Sequence, residues 1–478
     1  MLSVAEAQRR LADLAASEPV AKLAQAFAEA GFELALVGGP VRDAFLGRAV
    51  NDLDFTTNAR PDDILRIVTP ISTAQWDIGR AFGTIGAKVA GEPVEITTYR
   101  ADRYDGDSRK PEVEFGDSLE GDLRRRDFTV NALALRVPQL ELVDPSGGVE
   151  DLIAGVLRTP APATESFDDD PLRMLRAARF ASQLGCSLHF ETAEAMSAMA
   201  AEIERISAER VRDELSKLLL SDQPRAGLEL LVDSGLADFV LPELPALRLE
   251  VDEHHHHKDV YEHSLTVLDQ AIGYERARGV LDSPDLVLRW AALLHDIGKP
   301  NTRRLESGGA VSFHHHDVVG AKLAKKRLRA LRFDNDTIDA VARLIELHLR
   351  FFGYSDQEWT DSAVRRYVRD AGEHLERLHI LTRADVTTRN RRKADRLAFA
   401  YDDLEQRIAE LAAQEELDAV RPDLNGDEIQ AILGIAPGRE VGEAYKFLLE
   451  LRLDEGPLGT EAATERLREW WSGRSELA

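Results

Sequence analysis

Apolar and polar positions follow two regimes along this chain. Between residues 34 and 143, short apolar or alternating runs crowd together: "LALV", "DLDFTT", "GAKVA", "VEITTYR", "TVNALAL" and "LELVD". Runs of this length and alternation predict strands. Before residue 34 and after about residue 168, apolar residues recur at helical spacing. "MLSVAEAQRRLADLAASEPVAKL" reads as an amphipathic helix. It carries acids and no apolar core segment, so it does not read as a secretory signal. The polar, turn-rich "DRYDGDSRKPEVEFGDS" (102–118) reads as a mobile loop. "VDPSGGVEDLIAGVLRTPAPATES" (143–166) reads as a domain boundary, and "LPELPALRLEVDEHHHHKDV" (241–260) as a second connector. "PDLNGDEIQAILGIAPG" (422–438) reads as a small helical module. The pattern predicts an α+β chain with a small mixed-sheet head over 1–143. An all-α body follows: a neck over 144–245, a helical domain over 246–400 and a helical tail over 401–478.

Composition narrows this picture. The single Cys186 excludes a disulfide framework and a cysteine-ligated zinc site, and points to a reducing cytoplasm. No apolar run approaches the roughly 18 residues a membrane span needs. A formal net charge of −25 argues against a protein that simply coats nucleic acid. It leaves room for local basic tracks, and two occur: "AKKRLRALR" (324–332) with Lys322, and "RADVTTRNRRKADR" (383–396). Either could equally be a solvated helix face.

The head holds the densest chemistry. In "LVGGPVRDAFLGRAVNDLDFTT", Gly38-Gly39 ends a buried strand and lets the backbone come close to a ligand. "PVRDAFLG" is a short helix with Pro at its start and Gly47 as its stop. Asp52 and Asp54 then lie one residue apart on the next strand, so both face one side while Leu53 faces the core. Two such carboxylates are either a solvated strand edge or a clamp for two divalent cations in phosphoryl transfer. Glu95, in "VEITTYR", is the best-placed third carboxylate; Glu92 and Glu114 are weaker candidates. In "RRRDFTVNALAL", Asp127 and Asn131 stand four apart, which predicts that they share a helix face. Arg126 suits phosphate oxygens and Asp127 a ribose hydroxyl, or Asp127 simply caps a helix. In "DDDPLRMLRAARF", Asp169, Asp170 and Arg173 fall within one turn of a helix start, with Arg176 and Arg179 following at helical spacing. A fixed Asp–Arg pair complements the amino donor and ring-nitrogen acceptor that cytosine and adenine share, and mismatches uracil and guanine. The plainer alternative is an acidic helix start followed by a basic face.

Taken in order, "LVGGPVRDAFLGRAVNDLDFTT", "RRRDFTVNALAL", "DPSGGVEDLIAGVLRT", "DDPLRMLRAARF" and "ISAERVRDELSKLL" resemble the CCA-adding tRNA nucleotidyltransferases of the bacterial and eukaryotic class, in the polymerase-β-like superfamily. The resemblance covers about the first 220 residues. It implies template-independent addition of C, C and A to tRNA from CTP and ATP. Asp52 and Asp54 would hold Mg²⁺. Gly38, Gly39, Arg42 and Asp43 would shape the triphosphate pocket, and Arg126, Asp127 and Asn131 would read ribose and phosphate. Residues 144–158 would be a hinge. Asp169, Asp170 and Arg173 would act as a protein template braced by "ISAERVRDEL" (206–215). The family often has Glu where Asp169 stands, so this position is a departure. A partial CC- or A-adding enzyme, or a poly(A) polymerase, is the alternative within the superfamily.

Further on, "VYEHSLTVL", "WAALLHDIGKP", "FHHHDVVGAKLA", "IELHLR" and "LTRADVTT" resemble the HD phosphohydrolase superfamily. The resemblance implies a divalent-metal site from His263, His295, Asp296 and Asp385, with His316 and His348 as the extra histidines of fuller versions. Histidine and carboxylate donors suit Ni²⁺, Co²⁺ or Mn²⁺. An HD-type nucleotide phosphohydrolase with a nucleotide-binding head is the reading from another class. "DEHHHHKD" (252–259) is a loop or an adventitious metal binder.

Overall fold

The strand-like runs of the head join into one seven-stranded mixed sheet. Its order is Ser72–Trp76, Thr84–Val89, Glu92–Thr98, Leu53–Thr57, Leu34–Val37, Ala134–Val137, Glu141–Val143. Leu53–Thr57 and Glu92–Thr98 pair in parallel, and the other neighbours pair antiparallel. Strand alternation sorts the side chains. Leu34, Leu36, Phe55, Val94 and Ile96 enter a core closed by Phe27, Ile64 and Val68 from the helices Glu18–Glu29 and Pro61–Val68. Ala35 and Val37 face the other way, against Tyr99, Leu119 and Leu123. This second face also carries Asp54, Thr56, Glu95 and Thr97, because Thr56 is opposite Ala35 and the parallel register pairs Asp54 with Glu95 and Thr56 with Thr97. Leu53 packs on the core as expected.

The computed structural model describes residues 4–50, 52–77, 79–101, 114–116, 118–248, 259–281, 284–307, 311–351, 354, 359–387, 390–415 and 421–475. The side chain of Glu114, most of the 102–118 loop and the 254–257 histidine run lie outside these residues. The chain divides into two compact units, Met1–Val240 and Leu241–Ala478. No helix among the described residues is long and apolar enough to cross a membrane.

Three expectations are corrected within the first unit. "TVNALAL" is not one strand: Thr129–Asn131 is a 3₁₀ turn, and only Ala134–Val137 joins the sheet. Asp127 and Asn131 therefore do not share an α-helix face. The segment 143–166 is not a bare boundary. It holds the helix Gly148–Ala154, the strand Val156–Leu157 paired with Ser187–Leu188, and the start of the helix Ala163–Asp169. Asp144 accepts from the amides of Gly148 and Val149 and starts the first of these helices. Gly148 packs backbone to backbone against the 3₁₀ turn, where a Cβ would come 2.0 Å from the Thr129 carbonyl oxygen. Thr129 in turn donates to Asp151 (2.7 Å) and its amide bonds the Arg158 carbonyl (2.8 Å). Finally, Asp169 ends the helix Ala163–Asp169, and Leu172–Leu184 is a separate helix. Asp170 between them is extended at φ −146°, ψ 97°, the conformation favoured before proline.

The second unit is helical. Val260–Arg278, Leu286–Leu294, His316–Ala330, Asn335–Leu347 and Leu375–Ala384 carry the histidine and aspartate motifs at or beside their ends. The 422–438 module is the helix Gly426–Leu433, opened by an Asn425/Glu428 capping box and stopped by left-handed Gly434. Ile429, Ala444, Leu448, Ala463 and Leu467 form its core with the helices Arg439–Glu455 and Thr460–Ser475.

Candidate active site and candidate metal centre

Asp54 and Glu95 are cross-strand partners on the same sheet face, with Asp52 two residues back. Burial raises the Asp54 pKa to about 6, and the charges of Glu95 and Asp52 add to the effect while Arg126 opposes it. A group of carboxylates that repel one another on a half-buried face fits a divalent cation, whose charge relieves all of them. This arrangement sets a pH dependence. Asp54's pKa in the folded protein lies above its ordinary value of 3.8, so the folded state binds the extra proton between those two pH values. The stability of the metal-free protein therefore falls as pH rises through that window. In EDTA at pH 8, the Asp54→Asn protein should be more stable than the parent, by on the order of 2 kcal/mol. The gap should close below about pH 4, where Asp54 is neutral in both states. Thermal melts across pH check this; a parent that is the more stable at pH 8 would refute it.

Beside this face lies an arginine-rich cavity of about 300 Å³, lined by Thr97, Arg100, Asp122, Arg125, Arg126, Asp127, Asp170, Leu172, Arg173, Arg176 and Arg210. Six cations there meet three carboxylates, an excess of positive charge in an acidic protein. Arg173 is held from two sides, donating to Ser166 Oγ (2.7 Å) and to the Arg125 carbonyl (2.7 Å). Asp170 Oδ2 accepts from Arg210 (2.8 Å), a residue of the predicted brace segment. Glu214 of the same segment pairs with Arg179 (2.6 Å) and Arg176 (3.6 Å).

The expected residues separate into groups. Asp170, Arg173, Arg176, Arg126 and Asp127 line the cavity. Asp127 does not present a free carboxylate to a ribose. Its oxygens accept from the Phe128 amide, from Asn131 Nδ2 (3.1 Å) and from Arg176 Nε and Nη2 (2.8 and 2.6 Å). It orients Arg176, and this engagement holds its pKa low against burial. Asn131 Oδ1 accepts from Arg42 (2.6 Å), which also pairs with Asp43. Gly38 takes φ 74°, and a Cβ there would lie 3.2 Å from Arg126 Nη1, so glycine lets Arg126 cross the turn. Gly39 opens the helix Gly39–Leu46. Arg179 stacks on Phe180 (4.0 Å) and braces the helix outside the cavity lining. Asp169 is exposed and also outside the lining. Arg100, Asp122 and Arg210 were not singled out from sequence. Their chain distance from one another gives no local pattern, although Arg210 lies in the brace motif.

In the second unit, His263, His295, Asp296, His316, His348 and Asp385 converge. His263 Nε2 is 2.9 Å from Asp385 Oδ1 and 3.3 Å from His295 Nε2. His316 Nε2 is 3.3 Å from Asp296 Oδ1, and Asp296 Oδ2 is 3.3 Å from His295 Nε2. The rings of His295, His316 and His348 each donate from Nδ1 to the carbonyl three residues earlier, Ala292, Phe313 and Ile345. A carbonyl can only accept, so Nδ1 of each ring carries a proton and Nε2 faces inward. On neutral His348 Nε2 offers a lone pair. On His295 it carries the second proton of an imidazolium facing Asp296 and Asp385, which a bound metal would displace. His348 Nε2 is buried and finds no hydrogen-bond partner, and His316 Nε2 is buried facing Asp296 Oδ1. Burial opposes charge on His295, yet Asp296 and Asp385 lift its pKa to about 10; burial lowers that of His348 to about 4. Inward-facing nitrogens with two buried carboxylates fit a divalent transition metal. The donors form two groups, His263, His295, Asp385 and Asp296, His316, His348, each within 4.8 Å.

The basic tracks are partly neutralised. Lys325 pairs with Asp339, Arg327 with Glu243, and Arg383 with Glu405 and Asp402. Arg391, Arg392, Lys393 and Arg396 are exposed.

A carboxylate-bearing mixed sheet beside a cationic cavity, joined in one chain to an HD-type cluster, is the layout of a nucleotidyltransferase with an appended helical domain that carries a histidine–aspartate cluster. Residues 34–158 match the family described as "Poly A polymerase head domain". Residues 185–247 match "Probable RNA and SrmB- binding site of polymerase A", and 260–390 match "HD domain". The chain is 36% identical over 450 residues to the A-adding tRNA nucleotidyltransferase of Deinococcus radiodurans, covering 92% of this chain and 95% of that one. It is 41% identical over 223 residues to the CCA-adding enzyme of Leuconostoc mesenteroides, a match confined to 46% and 53% of the two chains. Its fold is similar to that of the Bacillus stearothermophilus CCA-adding enzyme, solved in complex with CTP, with a TM-score of 0.71 at 24% identity over 96% and 98% of the chains. The chain belongs to this tRNA nucleotidyltransferase family, with the α+β head and HD-containing helical body that its sequence predicts.

Proposed function

We propose that this protein adds C, C and A to the 3′ end of tRNA from CTP and ATP. One observation carries the reading: the Asp54–Glu95 sheet face adjoins a cationic cavity that contains a braced Asp–Arg pair, Asp170 and Arg173. Asp52, Asp54 and Glu95 would hold Mg²⁺, which would supply positive charge to offset that of the triphosphate and of the developing tRNA 3′ alkoxide. Arg126 and the Gly38–Gly39 turn bind the triphosphate, with Arg42, Asp43 and Asn131 shaping that turn. Asp170 accepts from the exocyclic amino group of the base, and Arg173 donates to its ring nitrogen. Asp127 and Arg176 fix the wall of the cavity.

A second reading, addition of the terminal A alone, has its own support. The relative matched along nearly the whole chain is named for A addition. The two are separated with tRNAs ending at the unpaired position before CCA, after one C, and after CC, each given one nucleotide at a time. CTP extending the first two and ATP extending only the third establishes full CCA addition. Extension of the CC end by ATP, with no use of CTP, establishes the second reading.

The HD cluster is a separate metal-dependent phosphohydrolase site in this proposal. Its donors sit in the second compact unit and none of them belongs to the head. The His295→Ala, Asp296→Ala double variant should lose bound transition metal. It should also lose any phosphatase or 2′,3′-cyclic phosphodiesterase activity measured with Ni²⁺, Co²⁺ or Mn²⁺. Nucleotide addition should stay within about threefold of the parent, a change of under 1 kcal/mol in barrier. A parent protein that binds no such metal would make these helices scaffold only.

A further inference from the structure

Asp122 belongs to no motif assigned above, yet it is 5% exposed and joins three parts of the head site. Its Oδ1 accepts from the Arg100 amide (3.2 Å), at the end of the Glu95 strand. Its Oδ2 accepts from Thr56 Oγ1 (3.3 Å), two residues beyond Asp54 on the same face. The same Oδ2 accepts from Arg126 Nη2 (3.4 Å). Among the described residues Asp122 is the ion-pair partner of Arg126, whose Nε is buried without a hydrogen bond and whose Nη1 lies over the Gly38 turn. Arg126 also acts electrostatically on Asp54. One guanidinium thus pairs with a buried aspartate, lies over the glycine turn and acts through space on Asp54.

We propose that Asp122 is a positioning residue for nucleotidyl transfer. It anchors Arg126 over the Gly38 turn and keeps that guanidinium from collapsing onto Asp54 and Glu95, where it would compete with the metal. This rests on the reading of Arg126 as a triphosphate ligand. The physical basis is simple electrostatics. A buried cation moves to the nearest uncompensated anion once its own partner is removed. The carboxylates of the metal face are then the nearest candidates.

The Asp122→Asn variant isolates this role. Asparagine Oδ1 still accepts from the Arg100 amide. Thr56 Oγ1 already lies 3.2 Å from the Thr97 carbonyl, so it can donate there and accept from Nδ2. Only the link to Arg126 turns from attraction to a contact between two donors. The expected result is about a tenfold rise in both the Mg²⁺ concentration for half-maximal rate and the nucleotide KM, with kcat at saturation within about threefold. The variant should melt close to the parent. In an Arg126→Ala background the same substitution should add nothing, because the residue through which it acts is gone. Unchanged Mg²⁺ and nucleotide dependence in Asp122→Asn overturns the proposal. So does an undiminished effect in the Arg126→Ala background. A variant that melts far below the parent makes Asp122 structural and overturns it as well. A parent-like nucleotide KM in Arg126→Ala alone would instead remove the triphosphate role of Arg126, and the present proposal with it.

Discussion

Replacing Asp54 by alanine removes nucleotide addition and leaves the head folded. Asp54 sits at the centre of its carboxylate group, opposite Glu95 in the parallel register and two residues from Asp52. Its side chain is not part of the apolar core, which lies on the other sheet face behind Phe55 and Ile96. The change therefore deletes no core packing and relieves like-charge repulsion in the metal-free state. On the proposed reading, what is lost is a ligand for the cation that would offset charge at the reacting phosphate. Loss of one such preorganised electrostatic group typically removes a factor of about 10² to 10³. A shared metal ligand should exceed that range, so addition should fall by at least about a thousandfold. Single-turnover rates at saturating Mg²⁺, with a thermal melt of the same preparation, measure both halves of the expectation. Addition within tenfold of the parent would mean that the sheet face is not the metal site.

Arg173→Ala should change which nucleotide is used, not just how fast. The guanidinium is fixed from one side by Ser166 Oγ and from the other by the Arg125 carbonyl, while Asp170 is fixed by Arg210. Such a pair rejects uracil and guanine because their edges leave a buried donor or acceptor unmatched, at about 1–3 kcal/mol for each group. On the proposed reading, removing Arg173 would leave Asp170 alone to read the base. Misuse of UTP and GTP relative to CTP and ATP should then rise about tenfold or more. Competition assays with pairs of nucleotides on one tRNA give that ratio directly. Equal losses for all four nucleotides would make Arg173 a helix-bracing residue, like Arg179.

What was legible in the sequence was chemistry carried by neighbouring residues. Strand alternation predicts one face for Asp52 and Asp54. The strand starts at Leu53, so Asp54 lies on it beside Glu95, while Asp52 precedes it and acts on Asp54 through its charge. The HD pair His295-Asp296 stands out because it directly follows an apolar helix, Leu286–Leu294, where an uncompensated buried charge is costly. Glu95 is the strand carboxylate that the sequence places best, and the parallel register seats it opposite Asp54. Features made by long-range packing were not legible. Nothing near Asp127 says that Arg176, forty-nine residues on, fills its second oxygen. Nor does anything near Asp122 say that it meets Thr56 and Arg126. The misplacement of Asp169 did have a local signal. Pro171 disfavours helix at Asp170, which splits the acidic run between the end of one helix and the start of the next. Spacing in sequence had suggested one helix turn, and proline chemistry decided otherwise.

The contact between Gly148 and the Thr129 carbonyl bears on how motion travels in the head. The proposed hinge segment begins in direct main-chain abutment with the turn that carries Asn131, and Asn131 is bonded to Arg42 beside the glycine turn. Side chains in a packed seam absorb displacement by changing rotamer, but two touching backbones have no such slack. On the proposed reading, a rotation of the Gly148–Ala154 helix would pass through this contact to the turn assigned to the triphosphate, much as one gear tooth drives another. The missing methyl group is what makes the linkage stiff.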